Sequence, residues 1–267
     1  MSNFVKQGLS ILGMLGLVHA AWAAPERAPD EAPRLVRGNL NESQAIDARI
    51  VRVRVDGVVD LRVRQGSPAT LVLSGDPRWI ARLVAMQSGD TIDISSEMEG
   101  MRIARQSPVR ADLVLPNLRE VSSESVGSTE ITGFRGDELE LSLDGAGSMN
   151  VNGDYRLVSA RLSGVGSMKL AVVRSERISL DLQGAGFVTL AGRSSWLKAE
   201  LGGLGGLDAR GFAADNVNLE LSGLGNAMVT AHQSVNLNLS GMGSVTVYGR
   251  PLNRKVSVDG LGKVSWK

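Results

Sequence analysis

Hydrophobic and polar residues alternate along most of the chain, beginning near residue 45. The alternation is clear in IVRVRV (50–55), LRVR (61–64) and TIDI (91–94). A period of two, interrupted by Gly, Asp and Pro, is typical of strands with one buried face. A short helix is predicted over residues 77–85, where Asp76 can cap it and Pro77 can occupy its first turn. These signals predict a β-rich block over residues 45–115.

From residue 116 onward the alternation becomes a repeat that is centred on a Gly-x-Gly motif. Each copy reads apolar-x-apolar-x-Gly-x-Gly-x-apolar-x-apolar, and successive copies begin 18 to 20 residues apart. The paired glycines are Gly145/Gly147, Gly164/Gly166, Gly184/Gly186, Gly203/Gly205, Gly223/Gly225, Gly241/Gly243 and Gly260/Gly262. The period of two excludes an amphipathic helix, and the sustained repeat favours a solenoid. We therefore predict an all-β fold, in which residues 116–267 form a right-handed parallel β-helix of about eight coils.

The paired glycines have two interpretations. Either they form a corner at which only glycine fits or adopts the required dihedral angles, or they cradle a phosphate. A dinucleotide-binding loop needs a third glycine that opens a helix. No helical pattern follows any of the seven pairs, which favours the corner and predicts no cofactor site.

The residue between the paired glycines is apolar in every copy. A degenerate copy at Gly127 and the first full copy place Val126 and Ala146 there. The later copies place Val165, Ala185, Leu204, Leu224, Met242 and Leu261 there. If the inward parity of the glycines holds through the bend, these six side chains form an exposed ridge that suits a binding partner. If the bend reverses the parity, they are buried.

The order of these motifs resembles the GIN-domain family of autotransporter adhesin head domains. The resemblance rests on GVVDLRVRQG (57–66), LVLSGDPRWIARLVAMQSGDTIDI (71–94), ADLVLPNLREV (111–121) and SVGSTEITG (125–133), followed by the serial coils. It covers roughly residues 46–267. The family implies a β-helix and an exported location. This chain departs from the family pattern because Ala, Val, Leu and Met replace the usual Ser between the glycines.

The N-terminus has the pattern of an export signal. Lys6 precedes an apolar run at residues 9–18, and Ala21 and Ala23 are the small residues that a signal peptidase requires. We predict a signal peptide at residues 1–23, cleaved after Ala23 or Ala24, and a linker at residues 24–44. The mature chain is then expected in the periplasm or medium of a Gram-negative-type envelope, without a transmembrane span.

Composition removes several classes of function. The chain has no Cys, so disulfides, thiolate metal sites and Cys nucleophiles are excluded. Loss of Lys6 with the signal leaves 28 Lys and Arg (29 minus one) against 28 Asp and Glu. A net charge near zero argues against a nucleic-acid partner. His232 is the one His beyond the signal, and no metal site is predicted.

The strongest candidate for catalysis is a ladder of carboxylates. Asp181, Glu200 and Glu220 occupy equivalent outward positions in three successive copies, after Arg161 and before Asn238. Stacked coils would place neighbouring carboxylates about 5 Å apart, in the range of a retaining glycosidase pair. A carbohydrate-active enzyme is therefore the alternative function. Long loops or a deep cleft beside the ladder would favour it.

The favoured hypothesis is an exported, non-enzymatic, adhesin-like scaffold that binds an unknown protein or glycan at the cell envelope. The final copy ends at Trp266 and Lys267 without a sequence that looks like a cap. Because an uncovered last coil is an open sheet edge, a homodimer through the C-terminal end is also expected.

Overall fold

The computed structural model describes residues 33–36, 43–96 and 109–267, and about three quarters of them lie in strands. The N-terminal elements are β1 (Arg34–Val36), β2 (Ser43–Ala45), β3 (Arg52–Gly57), β4 (Val59–Gln65), β5 (Thr70–Ser74), α1 (Pro77–Ile80), β6 (Leu83–Ser88), β7 (Thr91–Ser96), β8 (Val109–Leu115) and β9 (Glu120–Ser125). The repeat forms β10 (Ser128–Leu143), β11 (Ser148–Leu162), β12 (Val165–Leu182), β13 (Ala185–Leu201), β14 (Leu204–Leu221), β15 (Leu224–Leu239), β16 (Ser244–Tyr248), β17 (Asn253–Val258) and β18 (Lys263–Trp266).

The repeat stacks in parallel register, which confirms the predicted β-helix. Each long strand runs from one Gly-x-Gly corner to the next and pairs with the equivalent strand one repeat earlier and later. The result is a solenoid of about seven turns. A single turn cannot bury its apolar row, whereas stacking pairs the backbone groups and covers each row with the next.

Inward-facing side chains form continuous ladders along the stack. Before the corner the ladder runs through Leu141, Ala160, Leu180, Ala199, Leu219 and Leu237, all of which are buried. After the corner it runs through Met149, Met168, Val188, Leu207, Ala227 and Val245, which are also buried. Larger side chains, Phe134, Tyr155 and Phe212, fill the interior at the second bend of the turn. The Tyr155 hydroxyl donates a 3.0 Å hydrogen bond to the Leu118 carbonyl, and burial raises its pKa.

The N-terminal block already contains stacked turns. β3 and β4 pair in parallel with β9 and β10 on one side and with β7 and β8 on the other. β5 and β6 then pair antiparallel with β8 and β7, and β2 and β1 add to them in turn. This antiparallel layer caps the N-terminal end of the parallel stack, as a solenoid requires.

Two predictions for this part of the chain need adjustment. The predicted helix does begin at Pro77, with Asp76 accepting a 2.9 Å hydrogen bond from the Arg78 amide, but it ends at Ile80. Its predicted second half belongs instead to β6, because that strand pairs with β7. Within the predicted linker, β1 and β2 are short strands of the cap. The predicted signal peptide lies outside the described residues.

The last coil leaves its outer side uncovered. In the described part of the chain, no strand pairs with the outer edges of β17 and β18. The Arg254 guanidinium lies 4.5 Å from the centre of the Trp266 ring, within the range of a cation–π contact. The expected homodimer through this end stays a prediction.

None of the described helices is long and apolar enough to span a membrane.

Candidate functional site

The Gly-x-Gly corner brings two faces of the solenoid together at a narrow edge. At this edge the residue between the glycines donates its amide hydrogen to the first glycine of the preceding turn. Val165, Ala185 and Leu204 each make this bond, at 3.1 Å, to the carbonyls of Gly145, Gly164 and Gly184. The corners therefore stack directly upon one another.

Steric fit accounts for most of the paired glycines. A Cβ on Gly164, Gly184 or Gly203 would overlap the carbonyl oxygen of the first glycine in the preceding turn. Among the fourteen paired glycines only Gly260, at φ +131°, has the left-handed backbone that disfavours other residues. The corner interpretation is thus supported by close backbone approach, and no phosphate-binding helix follows in the described chain.

The residues between the glycines point into solvent. Exposed fractions are 64% for Val165, 59% for Leu204, 49% for Leu224, 61% for Met242 and 81% for Leu261. Ala146 and Ala185 are exposed as well. The parity of the strand therefore persists through the bend, and the alternative of buried side chains does not hold. We call the row Val165, Ala185, Leu204, Leu224, Met242 and Leu261 the corner ridge.

The flanks of the corner ridge carry no charge over its central turns. On one side lie Ser163, Gln183, Gly202, Ser222 and Ser240, and on the other lie Ser167, Phe187, Gly206, Asn226 and Ser244. Acidic residues flank the earlier corners, at Asp56, Asp60, Glu124 and Asp144, and the last corner is flanked by Asp259 and Lys263. An apolar row with neutral flanks can be covered without desolvating a charge.

Phe187 widens the apolar strip, and sequence reasoning did not identify it. The residue directly follows the second glycine of its corner, and its side chain is 39% exposed. A Cβ on Gly206, in the next turn, would lie 2.8 Å from the Phe187 ring. The absence of a side chain at Gly206 therefore leaves room for the ring. The available signal was an aromatic residue at a position where the other turns place Ser, Gly, Asn or Lys.

The structure brings the three predicted carboxylates together and pairs two of them, Asp181 and Glu200, with cations. Asp181, Glu200 and Glu220 occupy one register column, as expected. Arg161 Nε lies 3.1 Å from an Asp181 oxygen, and Lys198 Nζ lies 2.6 Å from a Glu200 oxygen. The hydrogen bond that Lys198 donates to Glu200, together with the charges of Glu200, Glu220 and Asp181, raises the pKa of Lys198. The face thus carries two cations, Arg161 and Lys198, beside three carboxylates.

The surroundings of the carboxylates do not resemble a catalytic cleft. Only two residues connect β12 to β13, β13 to β14 and β14 to β15, so none of these three connections forms a long loop beside the ladder. The cavity beside Asp181 and Glu200 has a volume of about 210 Å³, below the range of typical ligand sites. Within the described residues, no cluster of His, Asp and Glu is arranged to hold a metal ion.

Comparison with known families agrees with the geometry. A family model described as “Putative auto-transporter adhesin, head GIN domain” matches residues 51–251. This range begins just before β3 and extends into the last coil. No curated protein matches the chain.

Several solved structures share the fold. A protein from Parabacteroides distasonis described as a “putative adhesin” matches with a TM-score of 0.74 and 18% identity, over 86% of this chain and 98% of its own. A “putative adhesin” from Parabacteroides merdae matches with a TM-score of 0.72 and 18% identity, over 87% of this chain and 98% of its own. A “Putative lipid binding protein” from Parabacteroides distasonis matches with a TM-score of 0.71 and 19% identity, over 87% of this chain and 99% of its own. At these identities the likeness concerns the fold alone.

Proposed function

Because the chain belongs to the auto-transporter adhesin head GIN-domain family, we propose that it is an exported, non-enzymatic scaffold that binds a partner through the corner ridge. The observation that carries this proposal is the exposure of large apolar side chains at Leu204, Leu224 and Met242. Apolar side chains that are aligned, exposed and repeated in register mark an interaction surface. The β-helix holds Leu204 and Leu224 in register in successive turns.

The similar structures support a binding role for this fold. Two of them are described as a “putative adhesin” and one as a “Putative lipid binding protein”. The partner class expected from the sequence is a protein or glycan at the cell envelope.

The carbohydrate-active alternative has less support. A glycosidase needs one carboxyl group that is protonated and another that is free to act as nucleophile or base. Asp181 instead accepts hydrogen bonds from Arg161 and Gln183, and Glu200 is paired with Lys198. Both carboxylates are therefore held by neighbouring side chains.

Export is part of the proposal and rests on the N-terminal sequence and on the family. If the signal is cleaved as predicted, the chain recovered from the periplasm or medium begins at Ala24 or Pro25. The intact mass of that chain measures the cleavage site directly. A chain recovered only from the cytoplasm with residues 1–23 still attached would contradict export.

The binding role is tested by affinity recovery from a cell-envelope extract. In the ridge variant, Leu204, Leu224 and Met242 are all changed to Ser; in the control variant, Leu35, Val173 and Trp196 are changed to Ser. All six side chains are 46% to 66% exposed, so both variants should fold. We expect the ridge variant to lose partners that the wild type and the control variant retain. Equal recovery by all three proteins would show that the ridge is not the binding surface.

A further inference from the structure

We propose that the corner ridge is a membrane-contacting edge, which inserts its apolar side chains into the interfacial region of an anionic lipid bilayer. The inference rests on the proposed function and names the class of partner for the same surface. It replaces the broader expectation of a protein or glycan with one occupant.

The shape of the ridge favours a fluid partner. The ridge is a single file of side chains at an edge between two faces, with one side chain for every turn. At roughly 4.8 Å for each turn, Val165 to Leu261 spans about 24 Å. A second copy would present an equally narrow edge, so two ridges would touch only along a line and pack poorly. Lipid chains can conform to a convex edge of this kind.

The neutral flanks favour insertion below the headgroups. From Val165 to Met242 the neighbours on both sides are Ser, Gln, Gly, Asn and Phe187. None of them carries a charge that insertion would strip of water. The exposed Phe187 ring adds an aromatic side chain of the kind that settles at a membrane interface.

The charge distribution favours anionic lipid as the partner, and it favours an approach to the bilayer by the C-terminal end of the ridge. The last coil carries five cations, Arg250, Arg254, Lys255, Lys263 and Lys267, against the single acid Asp259, and all six are exposed. Lys263 and Asp259 flank Leu261, the most exposed member of the ridge, each two residues away, so the excess of positive charge belongs to the last coil as a whole. Basic side chains beside exposed apolar ones are typical of proteins that bind anionic membrane surfaces. The acids Glu124 and Asp144 flank the opposite, N-terminal end of the same edge, so we expect the C-terminal end to approach the bilayer.

Vesicle binding tests the inference. The mature chain is sedimented with vesicles of phosphatidylcholine alone and with vesicles of an equal mixture of phosphatidylcholine and phosphatidylglycerol. We expect wild type and control variant to bind the mixed vesicles, and the ridge variant to bind them about tenfold more weakly or worse. Binding should also weaken as salt is raised, because headgroup attraction is screened. A second variant, Lys255→Gln with Lys263→Gln, should lose preference for the mixed vesicles while its fold, measured by circular dichroism, stays intact.

Two results would overturn the inference. One is that wild type binds neither kind of vesicle; the other is that the ridge variant binds as well as wild type. If vesicles are not bound while the ridge variant still loses a protein from the envelope extract, the partner is a protein. In that case the membrane inference fails and the proposed binding function stands.

Discussion

The substitution Gly203→Ala is expected to lower the free energy of unfolding by about 3 kcal/mol. The added Cβ would overlap the carbonyl oxygen of Gly184. That oxygen cannot move away freely, because it accepts the 3.1 Å hydrogen bond from the Leu204 amide that stacks one corner on the next. A methyl group here therefore separates two turns of the solenoid. For a domain of this size we expect a fall of about 10 °C in the melting temperature, measured by circular dichroism.

Gly211→Ala is the matched control for this change. Gly211 also lies in β14, its φ is not in the left-handed region, and a Cβ there would find its nearest neighbour, the Leu190 carbonyl oxygen, at 3.7 Å. That separation is an ordinary van der Waals contact, so the free energy of unfolding should change by less than about 1 kcal/mol. Equal losses at Gly203 and Gly211 would refute the steric explanation of the corner.

Phe212→Ala is expected to destabilise the protein by about 4 kcal/mol. The Phe212 side chain is completely buried, and its register partner in the preceding turn is Gly192, which has no side chain to fill the space. Truncation leaves a cavity that the rigid stack of strands cannot close. Chemical denaturation followed by circular dichroism measures the loss.

Phe187→Ala makes the same chemical change at a surface position, one turn from the N-terminal end of the corner ridge. Since the Phe187 ring is 39% exposed on the corner ridge flank, its truncation should reduce the free energy of unfolding by about 1 kcal/mol or less. If the two substitutions lowered the free energy of unfolding by similar amounts, the assignment of Phe212 to the core and of Phe187 to the surface beside the corner ridge would be wrong.

The repeat made the fold of the C-terminal part predictable. Alternation identified the buried rows, and the spacing of the glycines fixed their register, so Leu141 and its equivalents fall where expected. The N-terminal turns were harder to recognise. Gly57-Val58-Val59 is a corner without a second glycine, and its pairing partner, Ser125, lies far along the chain. Nothing local in the sequence of β3 indicates that pairing.

Whether the corner ridge faces solvent could not be decided from the alternation alone. Two consecutive bends at Gly145 and Gly147 could rotate the backbone either way, and only the stacking of each corner on the previous carbonyl fixes the direction.

The carboxylate column was predicted correctly, whereas its partners were less accessible to sequence reasoning. The Lys198–Glu200 pair joins two residues of one strand, and the Arg161–Asp181 pair joins two turns. The two pairs place cations beside the carboxylate column only when the turns are stacked in register.

The central claim is that the corner ridge contacts the partner in the cell envelope. A photoreactive phenylalanine analogue placed at Leu224 tests it most directly, with the same analogue at Val173, which is equally apolar and 66% exposed, as the control. After irradiation of intact cells, the account predicts a covalent adduct, with lipid or with protein, from position 224 and none from position 173. Absence of an adduct at position 224, or equal adducts from both positions, would contradict it.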